Sequence, residues 1–151
     1  MRLLNVVAAA LLVSCAGFAQ TQREMNETAR TEYRTADQEL NRIYLRITSD
    51  YRTGTVFLRK LRASQRAWIA FRDAQVEALF PAADKQREYG SVYPLCRYQA
   101  LTALTNERSK QLQTWLDGAD ETDACGGSRR PKKVAATGAS TVQPACGRHG
   151  L

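Results

Sequence analysis

Histidine is nearly missing from this sequence: there is one in 151 residues, His149, close to the C-terminus. The most common general base is therefore absent from the body of the chain, and other catalytic devices are absent too. No serine sits on a glycine-flanked elbow, and no glycine-rich loop is spaced to cradle phosphate. The four cysteines include no Cys-x-x-Cys pair, and one histidine cannot complete the common zinc frameworks. Asp37 and Asp73 are acids on helical stretches, but each has an arginine as its natural partner, which spoils an acid role. The sequence reads as non-enzymatic, with no catalytic residue, no metal and no cofactor. Strand patterns are missing as well, since no stretch alternates apolar and polar residues with period two. Proline is absent until Pro81, which leaves a long N-terminal half free of helix breakers.

The chain begins with Arg2 and an apolar run, Leu3 to Val13. That run is shorter than the roughly 20 residues a membrane-spanning helix needs and has the length of a signal-peptide core. Residues 1–19 thus read as a secretion signal, and two cleavage sites compete. Leu12-Val13-Ser14-Cys15 resembles a lipobox, in which Cys15 is acylated and becomes the new N-terminus. Gly17-Phe18-Ala19 suits the ordinary signal peptidase. With Cys15 acylated, Ala16 follows it rather than Asp, which points to the outer membrane of a Gram-negative cell. The expected location is the periplasm, with membrane contact through a lipid anchor if Cys15 is modified. In that oxidising compartment Cys125 and Cys146 are close enough in sequence to close a loop as a candidate disulfide, leaving Cys96 free or intermolecular.

The formal charge is +7, but it is spread out. Residues 20–118 carry 16 Lys and Arg against 12 Asp and Glu, the mixture of a solvated helical surface. No basic cluster of the nucleic-acid-binding kind is present, and nucleic acid is not an expected partner. Anionic lipid or cell-wall polymer is physically easier to reach.

Three helical patterns follow the leader. From Thr21 to Tyr51 the apolar positions Met25, Ala29, Tyr33, Ala36, Leu40, Ile43, Tyr44, Ile47 and Tyr51 recur mostly at steps of three and four. After Thr53-Gly54-Thr55 a second stripe runs through Phe57, Leu58, Leu61, Trp68, Ile69, Val76, Leu79 and Phe80, and Pro81 closes it. Residues 81–94, with two prolines and Gly90, read as a loop or broken turn. A third helix spans about Leu95 to Leu116, with a stop at Asp117-Gly118. The expected fold is all-α, an antiparallel bundle or elongated hairpin of about three helices over residues 20–118. Residues 119–151, rich in Gly, Ala, Thr and Ser and carrying Arg129-Arg130-Pro131-Lys132-Lys133, read as a flexible basic tail that is disordered or loosely ordered.

Polar residues on the apolar stripes are the candidates for a site. Gln65 and Arg72 stand two helical turns apart on one face, with Trp68 between them. Asp37 and Asn41 lie four apart on the first helix, and Arg108 interrupts the third stripe. A charge on a core face must be paired, so Asp37, Asn41, Gln65, Arg72, Asp73 and Arg108 are expected to form an interhelical network that fixes register. The connector bearing Asp84, Glu88, Tyr89 and Tyr93 is the candidate recognition loop.

The order of motifs carries a resemblance. Gln22-x-x-Met25-Asn26, Tyr33 and Ala36-Asp37-x-x-Leu40-Asn41-x-x-Tyr44 come first. Leu61-x-x-x-Gln65-Arg66-Ala67-Trp68-Ile69-x-Phe71-Arg72-Asp73-Ala74 follows, then Leu104-Thr105-x-x-Arg108-x-x-x-Leu112. The succession resembles the LprI-like lysozyme inhibitor domain, also described as domain of unknown function 1311, over roughly Gln22 to Leu116. The resemblance implies an exported all-helical domain, often on lipoproteins, that binds and inhibits lysozyme. The competing reading is an envelope lipoprotein with a structural or accessory role whose partner is another envelope protein. The family pattern commonly has cysteine at Thr28 and near Gln75-Val76 as well as at Cys96. Of these only Cys96 is present, so stability must rest on packing, above all of Trp68, Trp115 and the tyrosines. A basic inhibitor also forgoes electrostatic steering toward a basic lysozyme.

Overall fold

The computed structural model of the protein describes the backbone of residues 2–132 and the side chains of residues 21–132. Four α-helices follow in order: α1 (Arg2–Asp50), α2 (Thr55–Leu79), α3 (Lys85–Tyr89) and α4 (Tyr93–Asp117). A 3-10 turn over Gly90–Val92 joins the last two. The chain is all-α, as its periodicity requires. The one ladder-like contact among the described residues is an isolated bridge between Ala119 and Pro131.

The boundaries have local causes. α1 gives way after Asp50 to a tight turn in which the Gly54 N–H donates to the Tyr51 carbonyl at 2.8 Å. α2 ends at Leu79 because Phe80 precedes Pro81 and is held outside the helical region, at φ −129° and ψ 69°. Residues 81–94, read from sequence as a loop or broken turn, contain the short helix α3. Asp84 caps it by accepting from the Arg87 N–H at 3.0 Å, which offsets the helix-breaking composition around it. Pro94 lies in the first turn of α4, where its missing N–H has no helical partner to lose.

Direction follows from which ends meet. Asn26 Nδ2 donates to the Ser91 carbonyl at 3.0 Å, and the Tyr51 hydroxyl donates to the Trp115 carbonyl at 3.0 Å. α1 and α4 therefore run parallel. α2 runs against both, with Phe57 beside Trp115 and Arg72 beside Tyr33. This is an up-down-up bundle. α1 and α4 lie closest together, and the reason is size: Ala29, Ala36, Thr105 and Ser109 are all buried and let the backbones approach.

Leu40, Ile43, Ile47, Tyr51, Leu58, Leu61 and Leu112 form the core, with Tyr44, Phe57, Trp68, Trp115 and Leu116 packed against it. Ile47 and Leu112 have almost no exposed surface, so truncating either to Ala costs about 2–5 kcal/mol. The stripe drawn from sequence is wider than the true contact line. Met25, Ile69 and Leu79 lie on it yet are exposed.

Residues 119–132, expected to begin a loose tail, fold back onto the bundle. The Ala119 N–H donates to the Arg130 carbonyl at 2.8 Å, and the Lys132 N–H donates to the Ala119 carbonyl at 2.9 Å. The Arg130 guanidinium sits 4.6 Å from the centre of the Tyr51 ring and also donates to the Asp50 carbonyl. Gly118 makes the return with φ 82°. A Cβ there would lie 2.6 Å from the Arg130 carbonyl oxygen, so glycine is required for both conformation and space. The remainder of the expected tail, including Lys133, lies outside the described residues.

Candidate functional site

Polar side chains gather where α2 faces its neighbours. Trp68 projects from the middle of α2, and two guanidinium groups approach its ring: Arg72 at 5.3 Å and Arg108 at 5.9 Å from the centroid. The six polar residues expected to form one network divide into two clusters on either side of this indole.

In the first cluster the Arg72 side chain is only 13% exposed. Its Nη2 and Nε lie 2.8 and 2.9 Å from Asp73 Oδ1. Its Nη1 reaches across to Asp37 Oδ1 on α1 at 4.0 Å, the outer limit of an ion pair. Asn41 Nδ2 donates to Asp37 Oδ2 at 3.1 Å and orients that carboxylate. Arg72 also lies 6.0 Å from the Tyr33 ring. Burial pushes the Tyr33 hydroxyl above its ordinary value of 10.0, against the opposing pull of the Arg72 charge. Asp73 is 58% exposed, so its pairing with Arg72 is worth little. The Trp68 and Tyr33 rings and the two carboxylates together hold the guanidinium.

The second cluster centres on Arg108 and contains no acid. Arg108 Nε donates to Gln65 Oε1 at 3.0 Å, Nη2 to Ser64 Oγ at 2.9 Å, and Nη1 to Gln111 Oε1 at 3.2 Å. Partial burial lowers its proton affinity, and no neighbouring carboxylate compensates. Ser64 and Gln111 escaped sequence reading. Gln111 stands three residues after Arg108 and so shares its face, but Ser64 carries no comparable mark.

The candidate recognition loop is a firm tip. Phe80, Tyr89 and Tyr93 form an aromatic triad, with Phe80 edge-on to both tyrosines at 5.4 and 5.3 Å and the tyrosines stacked at 6.1 Å. The Tyr89 hydroxyl accepts from the Ala82 N–H at 3.3 Å. Asp84 is engaged as the cap of α3. Lys85 is tied down by Glu77 at 2.8 Å, and this hydrogen bond raises its pKa. Arg87 and Glu88 are exposed, and neither side chain makes an ion pair among the described residues.

Cys96 is half-buried in the first turn of α4 and Cys125 is exposed, and neither is in a disulfide among the described residues. Cys146, the expected partner of Cys125, lies outside the described residues, as does the Cys15 side chain on which acylation depends. Thr28 is exposed and Val76 is buried, so the position near which the resemblance places a cysteine is filled here by an aliphatic core residue. Among the described residues no group of His, Cys, Asp and Glu is arranged to hold a metal ion, and no helix is long and apolar enough to cross a membrane.

Comparison with known proteins adds a family. The model of the family described as lysozyme inhibitor LprI matches residues 15–112. An uncharacterized protein of Rhizobium meliloti is 31% identical over 113 residues, covering 68% of this chain and 78% of its own length. No solved structure matches.

Proposed function

Since the chain belongs to the lysozyme inhibitor LprI family, we propose that it is an exported, non-enzymatic protein that binds lysozyme and obstructs its cleft. The family match over residues 15–112 carries this reading. The tip at α3 is the surface best suited to the task. Its aromatic triad is ordered before any partner arrives, so little conformational entropy is lost on docking. Tyrosines give large contact area with few rotatable bonds. Arg87, without an acid partner among the described residues, offers a free cation to a cleft whose chemistry requires carboxylates. Inhibition then needs only occupancy. The test is lysis of a cell-wall suspension by several lysozyme types with and without the purified protein. Inhibition by the wild type that weakens in Arg87→Glu fits the proposal, whereas no inhibition at micromolar excess against any type refutes it.

A second reading is supported by Leu12-Val13-Ser14-Cys15, and the family match begins at that cysteine. In it the protein is an envelope lipoprotein with an accessory role, held in the outer membrane through Cys15. Palmitate labelling that disappears in Cys15→Ala supports the anchor, and absence of labelling in the wild type removes it.

A further inference from the structure

An open groove of about 710 Å³ runs between α2 and α4, lined by Phe57, Leu61, Leu112 and Trp115 together with Lys60 and Arg108. Its size falls in the range that accepts small ligands. Ser128 of the folded-back segment also borders it. The groove is apolar in its body and cationic in its charges, with no acid among the lining residues.

Arg108 stands apart from the half-buried Arg30, Arg72 and Arg129, each of which has a carboxylate partner. Arg108 is half-buried and donates only to the neutral oxygens of Gln65, Ser64 and Gln111. Burial lowers its proton affinity. A partly desolvated cation without a counter-charge is costly, and an anion placed beside it relieves that cost. Lys60 also has no ion pair among the described residues, and it lines the same groove.

We infer that this groove binds a single-chain amphipathic carboxylate, such as a fatty acid. The alkyl chain lies along Val56, Phe57 and Trp115, over the buried Leu61 and Leu112, and the carboxylate sits by Arg108 and Lys60. Arg108 is held by its three neutral partners in a fixed fork, the geometry in which arginine receives a carboxylate. The groove is also separate from the α3 tip. Position 64 and position 80 are sixteen residues apart along α2, about 24 Å at the helical rise, so lysozyme inhibition and carboxylate binding are separately measurable.

The experiment is calorimetric titration of laurate, below its micellar concentration, into the purified full chain, with dodecanol as the uncharged comparator. Saturable one-to-one binding of laurate is expected, at least tenfold tighter than dodecanol. Arg108→Gln keeps a polar side chain and removes the charge, and Lys60→Glu reverses an exposed charge that the fold does not use. Each is expected to weaken laurate at least tenfold while leaving dodecanol unchanged, with the thermal midpoint of Lys60→Glu equal to that of the wild type. Absence of saturable laurate binding overturns the inference. So does equal affinity for laurate and dodecanol, or equal affinity in wild type and both variants. Concentration-dependent dimerisation abolished by Lys60→Glu, without laurate binding, would assign the groove to a second copy of the chain and overturn it as well.

Discussion

Replacing Tyr51 with Phe isolates one hydroxyl at the junction of every long element. The ring is already well packed, with Phe57 at 4.8 Å, Trp115 edge-on at 6.2 Å and the Arg130 guanidinium at 4.6 Å. Phe preserves all three contacts. What disappears is a hydroxyl that donates to the Trp115 carbonyl and accepts from the Arg130 N–H, both at 3.0 Å. The Trp115 carbonyl belongs to the last turn of α4, where helical acceptors run short of donors. Four residues on, the Ala119 N–H is taken by the Arg130 carbonyl instead. Tyr51 is therefore its donor, and a bond of this kind contributes about 0.5–1.5 kcal/mol. The Arg130 amide lies at an exposed residue and rehydrates readily, so its loss falls at the low end of the same range. Tyr51→Phe should destabilise the protein by about 1–2 kcal/mol, read as a lower urea midpoint at unchanged slope. Hydrogen exchange should quicken more over residues 119–132 than in α1, because that segment loses an anchor while the bundle keeps its packing. An unchanged midpoint together with unchanged exchange over 119–132 would show that the hydroxyl holds nothing, and the account of the returning segment would fall.

Four further perturbations have definite outcomes. Thr105 is fully buried, and its hydroxyl is the one buried side-chain polar atom without a partner among the described residues; Thr105→Val should raise stability by about 1 kcal/mol in chemical denaturation. Gly118→Ala meets both a positive φ and the Arg130 carbonyl, so it should cost about 2 kcal/mol or more and free residues 119–132 to limited proteolysis. Arg72→Ala removes two cation–aromatic contacts and a packed stem and should lower stability by about 1–3 kcal/mol, while Asp73→Ala should stay within about 1 kcal/mol in the same assay. Tyr33 holds its proton more tightly folded than unfolded. Its contribution is therefore whole below pH 10.0 and fades as pH rises through the higher folded value, so a stability profile from pH 8 upward should fall less steeply in Tyr33→Phe.

Much of the bundle was legible because its causes are local. The three-and-four spacing of Leu40, Ile43 and Ile47, the proline after Phe80 and the glycine after Asp117 are each readable within a few residues. Which helices press closest was harder. Ala29 and Ala36 lie on the α1 stripe and Thr105 on α4, but their smallness acts only when set beside Trp68 and Phe57 on α2. The short α3 was hidden between Pro81 and Pro94, although Asp84 three residues before Arg87 is the pattern of its cap. The return of residues 119–132 has no apolar run behind it. It depends on Tyr51 and Arg130, which are 79 positions apart, and no window of sequence contains both. The polar site was half legible: Arg72 faces carboxylates as pairing rules require, whereas Arg108 does not. An arginine on an apolar stripe announces that it needs partners, not that all of them are neutral.

The parallel pairing of α1 with α4 bears on how the chain reaches its folded state. The contacts that join them link Asn26 to Ser91 and Tyr51 to Trp115, separations of 65 and 64 residues. Closing such loops is slow compared with forming a local hairpin. A chain made or threaded across a membrane from its N-terminus presents α1 and α2 long before α4 is available. Through that interval the alanine face of α1 has no mate, and the bundle cannot lock. The architecture thus delays locking of the bundle until nearly the whole domain has emerged.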